Sequence, residues 1–465
     1  MGSLLKLGLW VTYVSANTLI KNALNVKHCV VDNYNFYQRP AGVVTLEVDL
    51  HPLKTYADRC PFCGKRCPVY DRNRYPKKWR ALDFGGIIVE LYACTQRINC
   101  KEHGVVVASV PWAFHDSSFT KDFDLTATYL AMNINKSVAA KYMRCDWKTI
   151  MRCISRTRLY LEPNLKERYE GLVNIGIDET SYRKGHKYVT VVVNHDTNTV
   201  VWVGLGHSTQ TLSEFFETLT PEQRASIKTV SGDGARWIDA CMKRYLPNAT
   251  RCVDGYHVVT WAMEGLDNVR KDIWHALNKD SRALQNANPR GRGRPTKEDE
   301  AVSKQIAKAK NDAKLVKGSS FTIGKAPENL TPKQEAQLEY LALTHKQLFR
   351  AYKLKEQLRL ALKFTNIDDA KAELDSFFWR ATHSRISYFK ELAYKIRRHE
   401  KNILNTIKTG LSNARVESVN NKIKLFFRKA YGFRNTQNMI DMIMLGCSNI
   451  FIPLPNRGGS GLKVA

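Results

Sequence analysis

Between residues 172 and 259 the chain sets out segments in an order that few folds accommodate. Three apolar runs (172–178, 188–195 and 200–206) precede a helical stretch (211–219), a fourth run (227–233), a second helical stretch (235–246) and a fifth run (249–253). Three strands in meander, followed by alternating helix and strand, predict a ribonuclease-H-like α/β sheet in which the first and fourth strands are neighbours. Asp178 ends the first run and Asp233 ends the fourth, so their carboxylates are expected to converge.

Charge decides how those carboxylates are read. The 465 residues contain 72 Lys and Arg against 44 Asp and Glu, a formal net charge of +28. Cations in such excess point to a polyanionic partner, because neutralising phosphates releases counterions. In so basic a chain, acidic residues held at strand ends read as metal ligands. The length and a 43% hydrophobic content suffice for several folded units. No run of eighteen or more apolar residues occurs, and no cleavable leader pattern opens the chain, so neither membrane insertion nor secretion is expected and the protein is expected in the cytoplasm. The eleven cysteines are odd in number, and Cys241, Cys252 and Cys447 sit singly in apolar segments. That is the usage of reduced thiols, so clustered cysteines indicate metal rather than disulfides.

One such cluster lies near the N-terminus, among short strand-like runs at 42–49, 87–93 and 105–110. Cys60-Pro-Phe-Cys63-Gly is a knuckle whose two thiolates can face one ion, and Cys100-Lys-Glu-His103-Gly repeats the spacing with an imidazole. Together they predict a closed Cys3His site for one structural Zn2+, with Cys67 and Cys94 as alternative ligands by proximity. From Ser118 the pattern turns helical. Residues 137–143, with Ser137 as N-cap, a turn at 144–146 and a second helix at 147–156 predict a helix-turn-helix. Val138, Ala139, Ile150 and Ile154 are placed to pack the pair, leaving Lys148, Thr149, Arg152 and Arg156 for a DNA groove.

Phosphoryl transfer with two metal ions needs carboxylates from separate elements, one of them bridging. Glu417 is the third candidate: it stands about one turn into a helix that Ser412-Asn413 would cap, with Asn420, Asn421 and Lys424 along the same face. Glu179 is a weaker competitor, since a strand neighbour of Asp178 points to the other face. Asp254-Gly-Tyr-His257 follows the fifth run, one strand farther out than Asp233. Asp254 and His257, like Asn421 and Lys424, are therefore read as supports or DNA contacts beside the site, with capping of the next helix an equal alternative for Asp254.

At these residues the sequence resembles the bacterial insertion-sequence transposases of the ISL-three group, members of the DDE class. The specific pieces are the two zinc-ligand motifs, Val110-Pro-Trp-Ala, Phe119-Thr-Lys-Asp-Phe, Ile175-Gly-Ile-Asp-Glu, Asp254-Gly-Tyr-His-Val, Ala351-Tyr-Lys-Leu-Lys-Glu, Leu411-Ser-Asn-Ala-Arg-Val-Glu-Ser-Val-Asn and Arg428-Lys-Ala-Tyr-Gly-Phe-Arg. The resemblance implies a catalytic set of Asp178, Asp233 and Glu417 holding two Mg2+ (or Mn2+) ions, and an all-helical insertion before Glu417. It also implies DNA as partner, both transposon ends and target, a homodimer when two ends are synapsed, and a nucleoid-associated location in a bacterium. The chain departs from the family at Gly255-Tyr256, where Arg-Phe is commoner, and at Ala414, where Gly is commoner; neither change removes a ligand.

The expected organisation is multidomain α+β: a zinc-binding unit (1–115), the helix-turn-helix (116–165), the first part of the core (170–260), the helical insertion (261–386), the last part of the core (387–452) and a tail (453–465). Within the insertion, Arg292-Gly-Arg294-Pro resembles a minor-groove-binding hook, although such strings also serve as basic linkers. The expected activity is cleavage of the inverted-repeat ends and joining of their 3'-hydroxyls to target DNA. The alternative is a domesticated, non-catalytic regulator that keeps only the zinc and helix-turn-helix modules.

Overall fold

The structure, a computed structural model, describes residues 15–40, 42–162, 167–287, 297–411 and 414–455. A short helix, α1 (Ala16–Ala23), leads into a five-stranded sheet of β1 (Cys29–Gln38), β2 (Val44–Pro52), β3 (Val69–Arg80), β4 (Ile88–Cys100) and β5 (Gly104–Val107), ordered β1-β2-β4-β3 with β5 on the end of β4. The alternation in sequence marks β2, β4 and β5 but neither β1 nor β3. Both are border strands whose residues are largely exposed, so they carry little apolar periodicity. Val48, Val89 and Leu91 fill the core of this sheet, and Trp79 meets Trp112 edge to face at 5.5 Å.

Three helices come next: α2 (Lys121–Asn133), α3 (Lys136–Tyr142) and α4 (Trp147–Leu161). The cap of α3 is Asn135, whose side chain accepts from Ser137 N, rather than Ser137 itself. With the helix so placed, Ala139 turns inward against Ile150 and Ile154, whereas Val138, expected in the packing, is exposed. These helices do not stand apart from the rest of the chain. Their apolar side chains share one cluster with β7 (Lys187–Asn194) and β8 (Thr199–Leu205) of the second sheet and with helices from the C-terminal end of the chain.

The second sheet holds β6 (Asn174–Arg183), β7, β8, β9 (Thr229–Gly232) and β10 (Thr250–Val253), in the order β10-β9-β6-β7-β8. β6 to β8 form an antiparallel meander; β9 and β10 run parallel to β6. The strand order is therefore the one the sequence predicts, with the first and fourth strands adjacent. Helices α5 (Thr209–Thr218), α6 (Pro221–Ser226) and α7 (Arg236–Tyr245) provide the connections. Phe215, Phe216 and Ile238 from α5 and α7 cover one face, where Ile175 and Ile177 of β6 point.

A helical array follows. It comprises α8 (Gly255–Ala287), α9 (Lys297–Gly318), α10 (Ser320–Gly324), α11 (Pro332–Thr344), α12 (Lys346–Ala361), α13 (Ile367–Thr382) and α14 (Ser387–Thr409). Val253, Leu266, Leu358, Phe377 and Phe389 belong to its core. α14 bridges the array to the sheet, with Asn405 Nδ2 donating to Arg251 O at 3.0 Å and Thr406 Oγ1 to Val253 O at 2.8 Å. The last elements are α15 (Ala414–Lys429) and α16 (Thr436–Cys447), which lie on the opposite face of the sheet from α5 and α7. Among the described residues no helix is long and apolar enough to cross a membrane.

Candidate functional site

The parallel part of the second sheet arranges the acidic residues. Asn174, Thr229 and Thr250 lie side by side across β6, β9 and β10, and Asp178, Asp233 and Asp254 each stand four residues farther on. Neighbouring strands are about 4.8 Å apart. The three acids thus share one level at the carboxyl end of parallel strands, where open α/β sheets form their binding crevices. Asp233 stands between the other two.

Asp178 lies within β6, opposite Val191, rather than at the strand's end as expected from the apolar run. The crevice still reaches it, because β9 stops at Gly232 and the last β6 residue paired to it is Gly176. Asp178 Oδ1 accepts from Glu179 N at 2.8 Å, and Oδ2 accepts from Asn420 Nδ2 of α15 at 2.6 Å. Burial pushes the Asp178 carboxyl up from its ordinary pKa; the Glu179 amide and the His257 imidazole oppose the shift, and Asp233 and Asp254 add to it. Glu179 is pushed to about 7, by burial first and then by Asp233 and Asp178. Its buried Oε2 has no hydrogen-bond partner. Packed carboxylates that raise one another's pKa, one with an orphaned buried oxygen, suit a divalent cation.

Asp233 Oδ1 accepts from Ala235 N at 3.0 Å, and Asp254 Oδ1 accepts from Tyr256 N at 3.2 Å. Asp254 therefore caps α8, the alternative role open to it from sequence, while remaining within electrostatic reach of Asp178. His257 lies in the first turn of α8.

Glu417 is exposed in the first turn of α15 and is not among the groups whose charges act most on Asp178. Its proposed cap, Ser412-Asn413, lies outside the described residues. What joins α15 to the acidic row is Asn420, three residues on, whereas Asn421 and Lys424 are exposed. The spacing carries a signal for Asn420: Val416, Val419, Ile423 and Phe426 are buried apolar positions of α15, and Asn420 falls on their side. Close approach of α15 to β6 depends on Gly176. A Cβ there would stand 2.4 Å from Val416 Cγ2 and 2.7 Å from His195 Nε2. Arg415 fastens the start of the helix by donating from Nη1 to His195 O at 2.5 Å.

The cysteine site is more compact. Cys60, Cys63, Cys100 and His103 have ligand atoms all within 4.8 Å of one another, the only such group among the described residues. Cys63 Sγ is 3.7 Å from Cys100 Sγ, and His103 Nδ1 is 3.7 Å from Cys60 Sγ and 3.6 Å from Cys100 Sγ. Tetrahedral zinc with Zn–S near 2.3 Å requires S–S edges of about 3.8 Å, so the donor set fits a structural zinc ion. The knuckle closes through Gly64, at φ +69°, whose N–H reaches Cys60 O at 2.9 Å. Of the alternatives, Cys94 is exposed and Cys67 Sγ is 3.4 Å from Lys65 O; neither belongs to the four.

In the helix-turn-helix, Lys148 and Arg152 are exposed as expected. Thr149 is buried instead, and its N and Oγ1 bind the Asp146 cap at 2.9 and 3.0 Å. Arg156 clasps the fully buried Asp124 at 2.9 and 2.6 Å. An arginine in such a pair has its donors committed to the fold. Arg292 and Arg294 lie outside the described residues.

An acidic row on a mixed sheet and a Cys3His knuckle are parts of a nucleic-acid-processing enzyme. Residues 175–443 match the ISL3 family model described as transposase, and residues 57–103, which contain all four zinc donors, match the model described as the zinc-finger of transposase IS204/IS1001/IS1096/IS1165. The chain belongs to the ISL3 family of insertion-sequence transposases, in the DDE class. It is 37% identical over 433 residues to the transposase for insertion sequence element IS1557 of Mycobacterium tuberculosis, covering 93% of this chain and 95% of that protein. The transposase for insertion sequence element IS1001 of Bordetella parapertussis is 24% identical over 395 residues, 84% of this chain and 89% of its own length.

Proposed function

We propose that this protein binds the inverted-repeat ends of an insertion sequence, cleaves them, and joins the freed 3'-hydroxyls to target DNA. The reading rests above all on the level row of Asp178, Asp233 and Asp254, with α15 laid against it through Asn420. The five-strand order supports a ribonuclease-H-like core formed by 170–260 and 387–452, with 261–386 as a helical insertion. Asp178, Asp233 and Glu417 are the proposed metal ligands.

Two divalent cations, Mg2+ or Mn2+, would supply Lewis acidity for the phosphate and activate the attacking oxygen. The chain's own residues do the rest. Asp178 stays oriented because Asn420 and the Glu179 amide hold both its oxygens. Asp233, directly after the adjacent strand, is the second proposed ligand, and Glu417, one turn before Asn420 on α15, is the third. His257 offers a donor to a phosphate oxygen at the mouth of α8. The zinc unit and the exposed Lys148 and Arg152 would hold the ends, and pairing two ends would require a homodimer. A protein of this kind would work in the bacterial cytoplasm, at the nucleoid.

Cleavage of end-bearing duplex in Mg2+, compared with Asp178→Ala and Glu417→Ala, tests the reading. Cutting and strand transfer that vanish in both variants support it. Binding without cutting by the unaltered chain would make the protein a regulator instead, and cutting without strand transfer a nuclease.

A further inference from the structure

A cleft of about 1620 Å³ opens where the zinc knuckle, α4 and the turn after α15 meet. It exceeds the roughly 300–1,000 Å³ of small-molecule sites and is lined in two alternating ways. Six of its lining residues are Lys or Arg, of which only Arg156 is committed to a buried carboxylate, against Asp116 as the lone acidic lining residue. Between them stand aromatic rings held largely in water: Phe62 of the knuckle is 58% exposed, Trp147 of α4 is 46% exposed and Tyr431 is 90% exposed. Tyr431 also adopts φ +50°, a left-handed conformation that is strained for a bulky residue and tends to be retained where it serves a function. At the inner wall, Lys136 Nζ sits 3.9 Å over the Phe433 ring, and burial pushes its ammonium down to about 8. A cation removed from water in this way gains most from a phosphate.

β6 links the cleft to the acidic row. Tyr182 and Arg183, at the far end of β6, line it, and Tyr182 lies four residues beyond Asp178, about 13 Å along a strand. The turn bearing Tyr431 directly follows α15, which carries Glu417 and Asn420. A DNA strand with its reactive phosphate at Asp178 would reach the cleft within roughly four nucleotides.

We propose that this cleft takes unpaired nucleotides of the DNA strand passing the acidic row, their bases stacked on Tyr431 and Trp147 and their phosphates held by Lys136, Arg183 and Arg434. The proposal rests on the transposase reading for its choice of DNA. It favours a single strand over a duplex because exposed rings beside cations serve unstacked bases, whereas a paired helix hides its base faces.

The test measures binding by the full-length protein, without added magnesium, to a fluorescent oligothymidylate of about twelve nucleotides and to a duplex of similar length. Tyr431→Ala should weaken strand binding about five- to a hundredfold, and Tyr431→Ala with Trp147→Ala should weaken it further. Duplex binding should stay within about twofold, which also shows that the variants fold, and Tyr431→Phe should restore the strand affinity. Equal loss for strand and duplex would overturn the proposal in favour of a duplex groove, and unchanged strand affinity would overturn it outright. The end-cleavage assay keeps the two readings separable. A chain that cuts nothing but binds strands through its rings refutes the catalytic reading alone, and one that cuts with silent rings refutes the cleft alone.

Discussion

The cysteine site and the acidic row both gather side chains of types that can ligate metals, by opposite constructions. Four donors at the base of the first sheet come from the Cys60 knuckle and from the end of β4 and the turn after it, and lie within 4.8 Å of one another, leaving no position for a substrate. The carboxylates of the row come from β6 and from the residues after β9 and β10, with the proposed Glu417 on α15, and they form no comparably tight group. A closed site serves the fold, whereas an open one bears its mutual repulsion for what it can bind.

The sharpest break of this contrast is removal of the zinc donors. Cys100→Ser, or prolonged chelation, should unfold the knuckle and abolish DNA binding, since a structural zinc site contributes on the order of 10 kcal/mol; circular dichroism and a binding titration report it. Next in size, Asp178→Asn should lower Mg2+-dependent cleavage by on the order of 10³-fold. Its metal-free thermal midpoint should not fall, because burial already disfavours the charged form. A variant that lost both activity and stability would erase the distinction between the two sites.

Asn420→Ala should cost about 10- to 100-fold in cleavage, the usual effect of losing a group that orients a ligand, with partial recovery in Asn420→Gln if reach rather than charge matters. An effect confined to acid pH concerns His195, which is buried against Ser231 Oγ at 2.6 Å and held down to about 4 by burial, with Arg415 adding to the shift. A histidine whose pKa is depressed on folding contributes stability above about 6.5 that is lost as pH falls toward 4. Urea titrations should show that slope, up to about 3 kcal/mol, and His195→Gln should flatten it.

Much of this contrast is legible in the sequence. The knuckles follow from local spacing, and the strand order from apolar runs whose length and sequence leave little choice. The remainder is set by tertiary packing. The position of Asp178 inside β6 depends on where β9 stops pairing, which no property of residues 172–178 encodes. Arg156 looks free on a helical wheel, and only the fold brings it to Asp124, 32 residues earlier. Strand alternation turns Glu179 away from Asp178, yet burial and the charges of Asp233 and Asp178 push its carboxyl to about 7.

Gly176 has a consequence of its own. By leaving out one carbon where β6 passes beneath α15, it sets the gauge between the sheet and the helix that bears Glu417. A single methyl at this point would act as a shim, lifting the helix while altering no charge, ligand or hydrogen-bonding group. The working clearance of the enzyme would then be governed by a residue with no chemistry of its own.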